Sequence, residues 1–437
     1  MKKILTASSN EDIIFTVKNA CNLFSSIFCT EIIDNTDDII RYIDFELPEI
    51  KVLDFSSPNI DCDKILKNIF DDPWLHYGGV IAVCKDRNQV AELEQRKDMN
   101  VLAVQTAKEF KEHFTRILRI LYQNQQFLFN RGMQELIGGQ ESGAFVFGND
   151  PMDSNFYTNF LVNYLYTTNR IADEDRFNLK MTFSELLTNA LEHGNLEIDY
   201  DTKTEYLMSG GDMISLIKER AKDRRFIERK IRIAYVIGKN ASKFSIRDDG
   251  KGFDWRSMLN KTADETLMHG RGISLSKSLV KSLSYNEKGN EVTFIIENLH
   301  NETSAVPGKM AEFETVAYHN KEIVCREGEM SNDLYFILSG RFAVYANNKL
   351  ATVLTPNDLF IGEMAFLLND KRTATVLAVG ECRLIRIPKS DFLGMIRKNP
   401  HYGVFLSKML AQRLLRQTGK TVELQKKLSS LNISLES

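Results

Sequence analysis

Five groups of residues in this sequence have the types and spacing to do chemistry. Phe183-Ser-Glu-Leu-Leu-Thr-Asn-Ala-Leu-Glu-His-Gly-Asn195 is helical in pattern and sets Glu185 and Asn189 on one face, a carboxylate one turn from an amide. Phe244-Ser-Ile-Arg-Asp-Asp-Gly-Lys-Gly-Phe-Asp254 reads as a strand ending in an Asp-x-Gly-x-Gly turn. After it, His269-Gly-Arg-Gly-Ile-Ser-Leu-Ser276 is a glycine-rich loop entering a helix, where backbone N–H groups and the helix N-terminus favour negative charge. Near the C-terminus, Gly362-Glu363 and Arg372-Thr373 supply a carboxylate and a fixed fork of guanidinium donors suited to phosphate. Val52-Leu-Asp54-Phe-Ser-Ser-Pro58 places a carboxylate at the end of an apolar strand.

The elements that must position these groups need more than one core. A chain of 437 residues exceeds a single domain, and its pattern divides into three. Hydrophobic residues at 43% and charged ones at 26% fit a globular protein, and no apolar run reaches the roughly 18 residues of a membrane span. Met1-Lys-Lys-Ile-Leu-Thr meets Asn10, Glu11 and Asp12 before a signal-peptide core forms, so a cytoplasmic location without membrane contact is expected. The six cysteines are scattered with no metal spacing. A net charge of −3 without a basic stripe argues against direct DNA or RNA binding.

Residues 1–105 alternate short apolar runs with amphipathic stretches, which predicts βα units and a small parallel sheet. Residues 106–142 read as a connecting helix and hinge, ending in Gly138-Gly139-Gln-Glu-Ser-Gly143. A second α/β block spans 143–298, with a charged insert from Leu196 to Lys230, and 299–312 has linker composition. Short β-branched runs over 313–400 predict an antiparallel barrel or roll, and 401–437 a closing helix. Leu406, Leu410, Leu414, Val422, Leu424, Leu428 and Leu431 approach a heptad seam, which pairs two protomers or lies back over the barrel.

Phe360-Ile-Gly-Glu-Met-Ala-Phe-Leu-Leu-Asn-Asp-Lys-Arg-Thr-Ala-Thr-Val-Leu-Ala378 resembles the phosphate-binding cassette of cyclic-nucleotide-binding domains, as in protein kinase A regulatory subunits and catabolite-activator-type regulators. Gly328 to Gly340 matches that family's turn and strand pattern. The resemblance implies that Glu363 accepts the ribose hydroxyl, Gly362 permits close approach, and Arg372 with Thr373 holds the phosphate of cyclic AMP or cyclic GMP. Base discrimination would fall to Arg413, Gln417 or Thr418. From the length after Tyr402, no helix-turn-helix reader of the kind in the related transcription factors is expected.

The three central boxes resemble the GHKL ATP-binding fold, and most closely its anti-sigma-factor serine kinase branch; Lys288-Gly-Asn-Glu-Val-Thr-Phe294 fits that branch's closing strand. The resemblance implies Asn189 as the Mg2+ ligand and Asp248 as acceptor of the adenine amino group. Gly250 and Gly252 would make room for the base, and Gly270, Arg271 and Gly272 would form a phosphate lid. Glu185 would be the general base toward a partner's serine, or would only orient the metal's water. No dimerisation helix with a His-Glu box precedes the domain, which argues against histidine kinase activity.

The first 105 residues resemble a response-regulator receiver in outline, with Asp54 at the phosphoacceptor position. Ser8 and Ser9 stand where receivers keep metal-binding acids, Cys84 near the switch position, and Gln105 and Thr106 where a lysine is usual. That implies a pseudo-receiver unless Glu11 or Asp12 folds back. The expected fold class is multidomain α/β plus β: a flavodoxin-like receiver, a GHKL α/β sandwich and a C-terminal cyclic-nucleotide-binding β-roll with a C-terminal helix. The expected function is control of a serine-kinase-like ATP domain by a cyclic nucleotide, acting on an anti-anti-sigma-like protein, a sigma factor or a similar switch partner, in a homodimer. The alternative is a non-enzymatic scaffold responsive to both nucleotides.

Overall fold

The computed structural model describes residues 1–76, 78–96, 101–124, 141–255, 280–299, 302–303, 306–331, 333–368 and 370–411, with 414, 418, 419, 421, 422 and 425 beyond them. Gly270, Arg271, Gly272, Arg413, Gln417, Leu424, Leu428 and Leu431 lie outside the described residues.

The N-terminal unit is a parallel sheet of β1 (Lys2–Ala7), β2 (Phe28–Ile33), β3 (Ile50–Asp54), β4 (Gly79–Cys84) and β5 (Val101–Thr106), in the order β2-β1-β3-β4-β5. That order is one of the two common doubly wound arrangements, in which sites gather at the carboxyl ends of the strands. β3 and β4 are buried along their whole length, as strands covered on both faces must be. Around the sheet run α1 (Glu11–Leu23), α2 (Thr36–Glu46), α3 (Cys62–Asp71) and α4 (Arg87–Gln95). Asn10, Asn35, Asp61 and Asp86 cap their N-termini through side-chain oxygens.

The stretch expected to be a free connector differs from that expectation. α5 (Ala107–Gln123) starts at a capping box formed by Thr106 and Glu109 and buries Phe110, Phe114, Ile117, Leu118 and Leu121. These side chains share one core with Ile4, Val52 and Ile81 of the sheet and Ile13 and Val17 of α1. The apolar stripe is that of a fifth domain helix, so the N-terminal unit reaches at least Gln123.

The central unit has an antiparallel sheet in the order β6-β7-β8-β10-β9, from β6 (Glu141–Phe147), β7 (Ile231–Ile237), β8 (Ala241–Asp248), β9 (Ser282–Tyr285) and β10 (Glu291–Glu297). Alternate residues of β7 and β8 are buried, the pattern of a sheet covered on one face. The cover includes α6 (Pro151–Thr167) and α7 (Asp173–Asn189), with Phe183 of α7 edge-on to Phe244 and Phe294 at 5.0 Å each. α8 (Tyr200–Met208) and α9 (Met213–Arg220) fill the charged insert, which buries Leu216, Ile217 and Phe226.

Beyond 302 the chain is already ordered against the C-terminal unit. Thr303 N–H donates to Leu338 O at 2.7 Å, and Met310 of α10 (Gly308–Ala311) is fully buried. The roll is built from β11 (Thr315–Tyr318), β12 (Ile323–Cys325), β13 (Leu334–Ala346), β14 (Lys349–Leu354), β15 (Phe360–Ile361) and β16 (Thr375–Ile387), centred on the β13–β16 pair. The short α11 (Glu363–Leu368) lies between β15 and β16, and α12 (Lys389–Lys398) follows. A last helix, α13, covers 401–411.

α13 does not stand free. Tyr402, Phe405, Leu406 and Met409 are buried in a core that holds both Phe336 and Phe360 of the roll and Trp74 of the N-terminal unit. Leu406 and Leu410 of the heptad-like series therefore pack within this chain. His401 sits between two carboxylates: Nε2 is 2.9 Å from Asp72 Oδ2 and Nδ1 is 3.6 Å from Asp44 Oδ1. Burial opposes its charge, but the two carboxylates overcome that and raise its pKa to about 9.

A folded-state pKa above the unfolded value of about 6.5 means this stabilisation is complete below pH 6.5 and is lost as pH rises through 9. The pair contributes up to about 3 kcal/mol. Thermal melts of the full chain should show stability falling between about pH 7 and 9.5, and His401→Gln should remove most of that slope.

Candidate nucleotide sites

The central site forms where α7 ends. Asn189 is the last residue of α7, and a single π-helical turn, Ala190–Asn195, continues it. Such turns are rare and re-aim side chains near functional sites. Asn189 Nδ2 donates to Glu185 Oε1 at 3.2 Å, which turns the amide oxygen of Asn189 away from Glu185. The structure thus brings together the two residues that helical spacing paired.

Asp248 closes β8 and is buried. Its Oδ1 accepts the Gly250 N–H at 2.8 Å, and among the described residues Oδ2 carries no hydrogen bond. Burial pushes its pKa up to about 6, against the partial relief of the Gly250 N–H. The space around the carboxylate is set by glycines. A Cβ at Gly194 would fall 2.4 Å from Asp248 Cγ, and one at Gly250 2.3 Å from Gly194 O. Gly252 has φ +78, with Lys288 O 1.9 Å from where a Cβ would sit. This cradle around a desolvated acceptor fits an adenine edge, and the Asn189 oxygen fits a Mg2+ ligand.

Several residues of this site had no assigned role from sequence. Asn195 Oδ1 accepts the Asp249 N–H, and Asn290 Nδ2 donates to Asp248 O, both at 2.9 Å, so two asparagines hold the ends of the Asp-x-Gly turn. Lys288 Nζ donates to Gly250 O at 3.0 Å. Tyr285 has its pKa raised to about 12, by burial first and then by the charges of Glu185 and Asp248. Phe253 packs edge-on to Tyr285 at 5.3 Å and Trp255 stacks on it at 6.1 Å. The signal for Gly194 and Asn195 was present as the Gly-Asn pair closing the first box.

In the C-terminal site Gly362 adopts φ +88, and a Cβ there would meet Arg372 Nη1 at 1.9 Å. The Arg372 guanidinium is buried against the cassette. Nη1 donates to Gly362 O at 3.1 Å, Nη2 to Asp333 O at 2.7 Å and to Ser331 Oγ at 3.0 Å. Its Nε is a buried donor with no partner among the described residues. Glu363 opens α11, half-buried, and Thr373 is exposed. The Cys325 thiol pKa is raised by burial, against the opposing charge of Arg372. A carboxylate, an arginine with an unmet donor and a glycine cradle fit a phosphate on a ribose. Thr418 lies in the terminal helical stretch, where its Oγ1 donates to Leu414 O at 3.0 Å.

Residues 158–296 match the histidine kinase-like ATPase domain family, and residues 315–399 match the cyclic nucleotide-binding domain family. The chain carries both domains. The cyclic-nucleotide-binding domain is similar to that of the Thermus thermophilus cyclic AMP receptor protein, 27% identical over 24% of this chain and 50% of that protein. It also resembles the human potassium/sodium hyperpolarization-activated cyclic nucleotide-gated channel 3, 30% identical over 30% of this chain and 17% of the channel. The crystal structure of Thermus thermophilus catabolite activator protein aligns at 24% identity over 27% of this chain and 57% of that one, with a TM-score of 0.25. These matches span between 17% and 57% of the relatives' own lengths.

Asp54, at the end of β3, is held in the doubly wound unit by four donors. Oδ2 accepts from Ser8 Oγ at 2.6 Å and Ser57 Oγ at 2.7 Å; Oδ1 accepts from the Ser56 N–H at 2.9 Å and Ser56 Oγ at 2.6 Å. The carboxylate is fully buried, and Glu11 and Asp12 stay exposed in the first turn of α1. Ser9 N–H donates to Ser57 Oγ, and Cys84, Gln105 and Thr106 remain at the strand ends.

Three outcomes follow from these geometries. Gly194→Ala must displace the Asp248 carboxylate, so ATP affinity measured by calorimetry should drop at least about tenfold with cyclic-nucleotide affinity unchanged. Asp54→Ala leaves the buried Ser8 and Ser57 hydroxyls without their acceptor and should cost on the order of 2–4 kcal/mol of unfolding free energy. Acetyl phosphate should leave the wild-type chain unmodified at Asp54.

Proposed function

We propose that this protein is a cytoplasmic signalling switch in which a cyclic nucleotide controls a serine-kinase-like ATP domain acting on a protein partner. The observation that carries the reading is the pairing of two built sites in one chain: the buried Asp248 in its glycine cradle, and Arg372 folded over Gly362. The partner would be an anti-anti-sigma-like protein, a sigma factor or a similar switch protein. Leu414 and Val422, exposed beyond α13, support a homodimer through the terminal helix. The N-terminal unit acts as a pseudo-receiver, since Asp54 is surrounded by serines rather than by acids that could hold a metal.

In this reading Asp248 Oδ2 accepts the adenine amino group, and Asn189 would hold a Mg2+ ion that would supply charge neutralisation for the phosphates. Glu185 takes the proton of the partner's serine hydroxyl as its oxygen bonds to the γ-phosphorus and the bond to the ADP oxygen breaks. In the C-terminal domain Glu363 accepts from the ribose 2′-hydroxyl. The phosphate of cyclic AMP or cyclic GMP competes with Gly362 O, Asp333 O and Ser331 Oγ for Arg372.

The test is capture of partners on the full chain with and without cyclic AMP or GMP, followed by phosphotransfer from ATP-Mg2+. Phosphoserine on a captured protein is expected, and Glu185→Gln should keep ATP binding while losing at least about 100-fold of the transfer rate. ATP binding with nucleotide-dependent capture but no transfer would assign the chain as a scaffold.

A further inference from the structure

A turn of the N-terminal unit, the 3-10 segment Pro73–His76, touches both nucleotide domains at once. On one side Trp74, almost fully buried, stacks on Phe405 at 4.3 Å and lies 5.1 Å from Tyr402, both on α13. The same indole meets Phe360 edge-on at 5.8 Å. Phe360 is two residues before Gly362 and three before Glu363, on β15, which leads directly into the cassette helix α11.

On the other side the His76 ring lies 6.0 Å from Tyr166 of α6, and the Arg176 guanidinium of α7 sits over that Tyr166 ring at 3.9 Å. Arg176 is buried and also bonds Asn163 on α6 at 3.2 Å and Asp173 at 3.1 Å. α7 is the helix that ends in Glu185 and Asn189. His76 keeps its ring neutral: burial, and then the Arg176 charge, lower its pKa to about 4.

The turn is tied to α13 by Asp72: Oδ1 accepts the Trp74 backbone N–H at 2.9 Å, while Oδ2 accepts the Tyr402 hydroxyl at 2.8 Å and faces His401 Nε2. Leu75 N–H closes the turn on Asp72 O at 2.9 Å. The exit is fixed by Gly78 at φ +76, where a Cβ would fall 1.9 Å from Glu49 O.

We infer that the Asp72–His76 turn is the coupler through which occupancy of the cyclic-nucleotide cassette and of the ATP site alter each other's affinity. This inference rests on the proposed function, because it requires both sites to bind. Its two-state element is the cassette: when Arg372 exchanges Gly362 O, Asp333 O and Ser331 Oγ for a phosphate, the Phe360–Leu368 segment is repositioned beside Trp74. The rigid turn passes the displacement to Tyr166 and Arg176, and so to the axis of α7. The N-terminal unit then works as a mechanical bridge, with no phosphorylation of Asp54 involved.

The experiment measures the dissociation constant of a fluorescent cyclic AMP, or cyclic GMP if the former does not bind, on the full chain with and without AMP-PNP and Mg2+. Wild type should show a ratio of at least about fivefold, with AMP-PNP affinity shifted by the same factor when the order is reversed. In His76→Ala and Trp74→Leu each ligand should still bind alone, and the ratio should fall toward one. A ratio unchanged in variants that bind both ligands overturns the inference, as does a wild-type ratio of one. Failure of either ligand to bind wild type instead overturns the proposed function. Trp255→Phe leaves Trp74 as the sole tryptophan, so the answer does not depend on the Trp74 variant folding. Its emission should shift when cyclic nucleotide binds, and bound nucleotide without that shift also overturns the inference.

Discussion

The structure depends on one indole. Trp74 is enclosed by rings from α13 and from two strands of the β-roll, and the carboxylate of Asp72, two residues earlier, anchors His401 and Tyr402. An aromatic of this size buries roughly 200 Å² and dominates the contact it enters. Around it, His401 and Tyr402 bond Asp72 and Lys408 Nζ bonds the Glu46 and Leu47 carbonyls, so the C-terminal domain is seated on the N-terminal unit. With it, three units share continuous cores, one joining the first to the second and one joining the first to the third.

The two nucleotide sites meet the same electrostatic problem by different means. Asp248 must keep a carboxylate in a desolvated place, so the chain carves that place with Gly194, Gly250 and Gly252 and closes it with backbone held by Asn195 and Asn290. Arg372 keeps a buried cation, which it satisfies with backbone carbonyls that a phosphate can replace. In the proposed function the first site would receive its ligand in a cavity that glycines already leave open, and the second would exchange carbonyl partners for a phosphate, as a sensor requires.

Much of this was legible in the sequence because it rests on local spacing. The helical pairing of Glu185 with Asn189, the Asp-x-Gly-x-Gly turn and the Gly-Glu to Arg-Thr cassette all fall within short windows, and the alternation of residues 1–105 gave the parallel sheet. α5 was legible as a helix but misplaced as a connector, because a stripe of Phe110, Phe114 and Ile117 does not say which sheet it covers. The leucine series of the tail was likewise ambiguous: its spacing does not say that Leu406 is buried in a core shared with the roll and the N-terminal unit. Asp72, Trp74 and His76 carried no signal at all. They form an ordinary turn, and their partners lie as far as 330 positions away, where no periodicity reaches.

In the inference drawn above, the two nucleotide sites are one system joined through the N-terminal unit. Hydrogen exchange of the full chain, followed by mass spectrometry with and without cyclic nucleotide, tests it most directly. The account predicts altered protection in three places: the cassette around 360–372, the turn at 72–76, and the end of α7 through Glu185 and Asn189. Altered protection confined to 313–411, with the turn and α7 unchanged at saturating nucleotide, would contradict it.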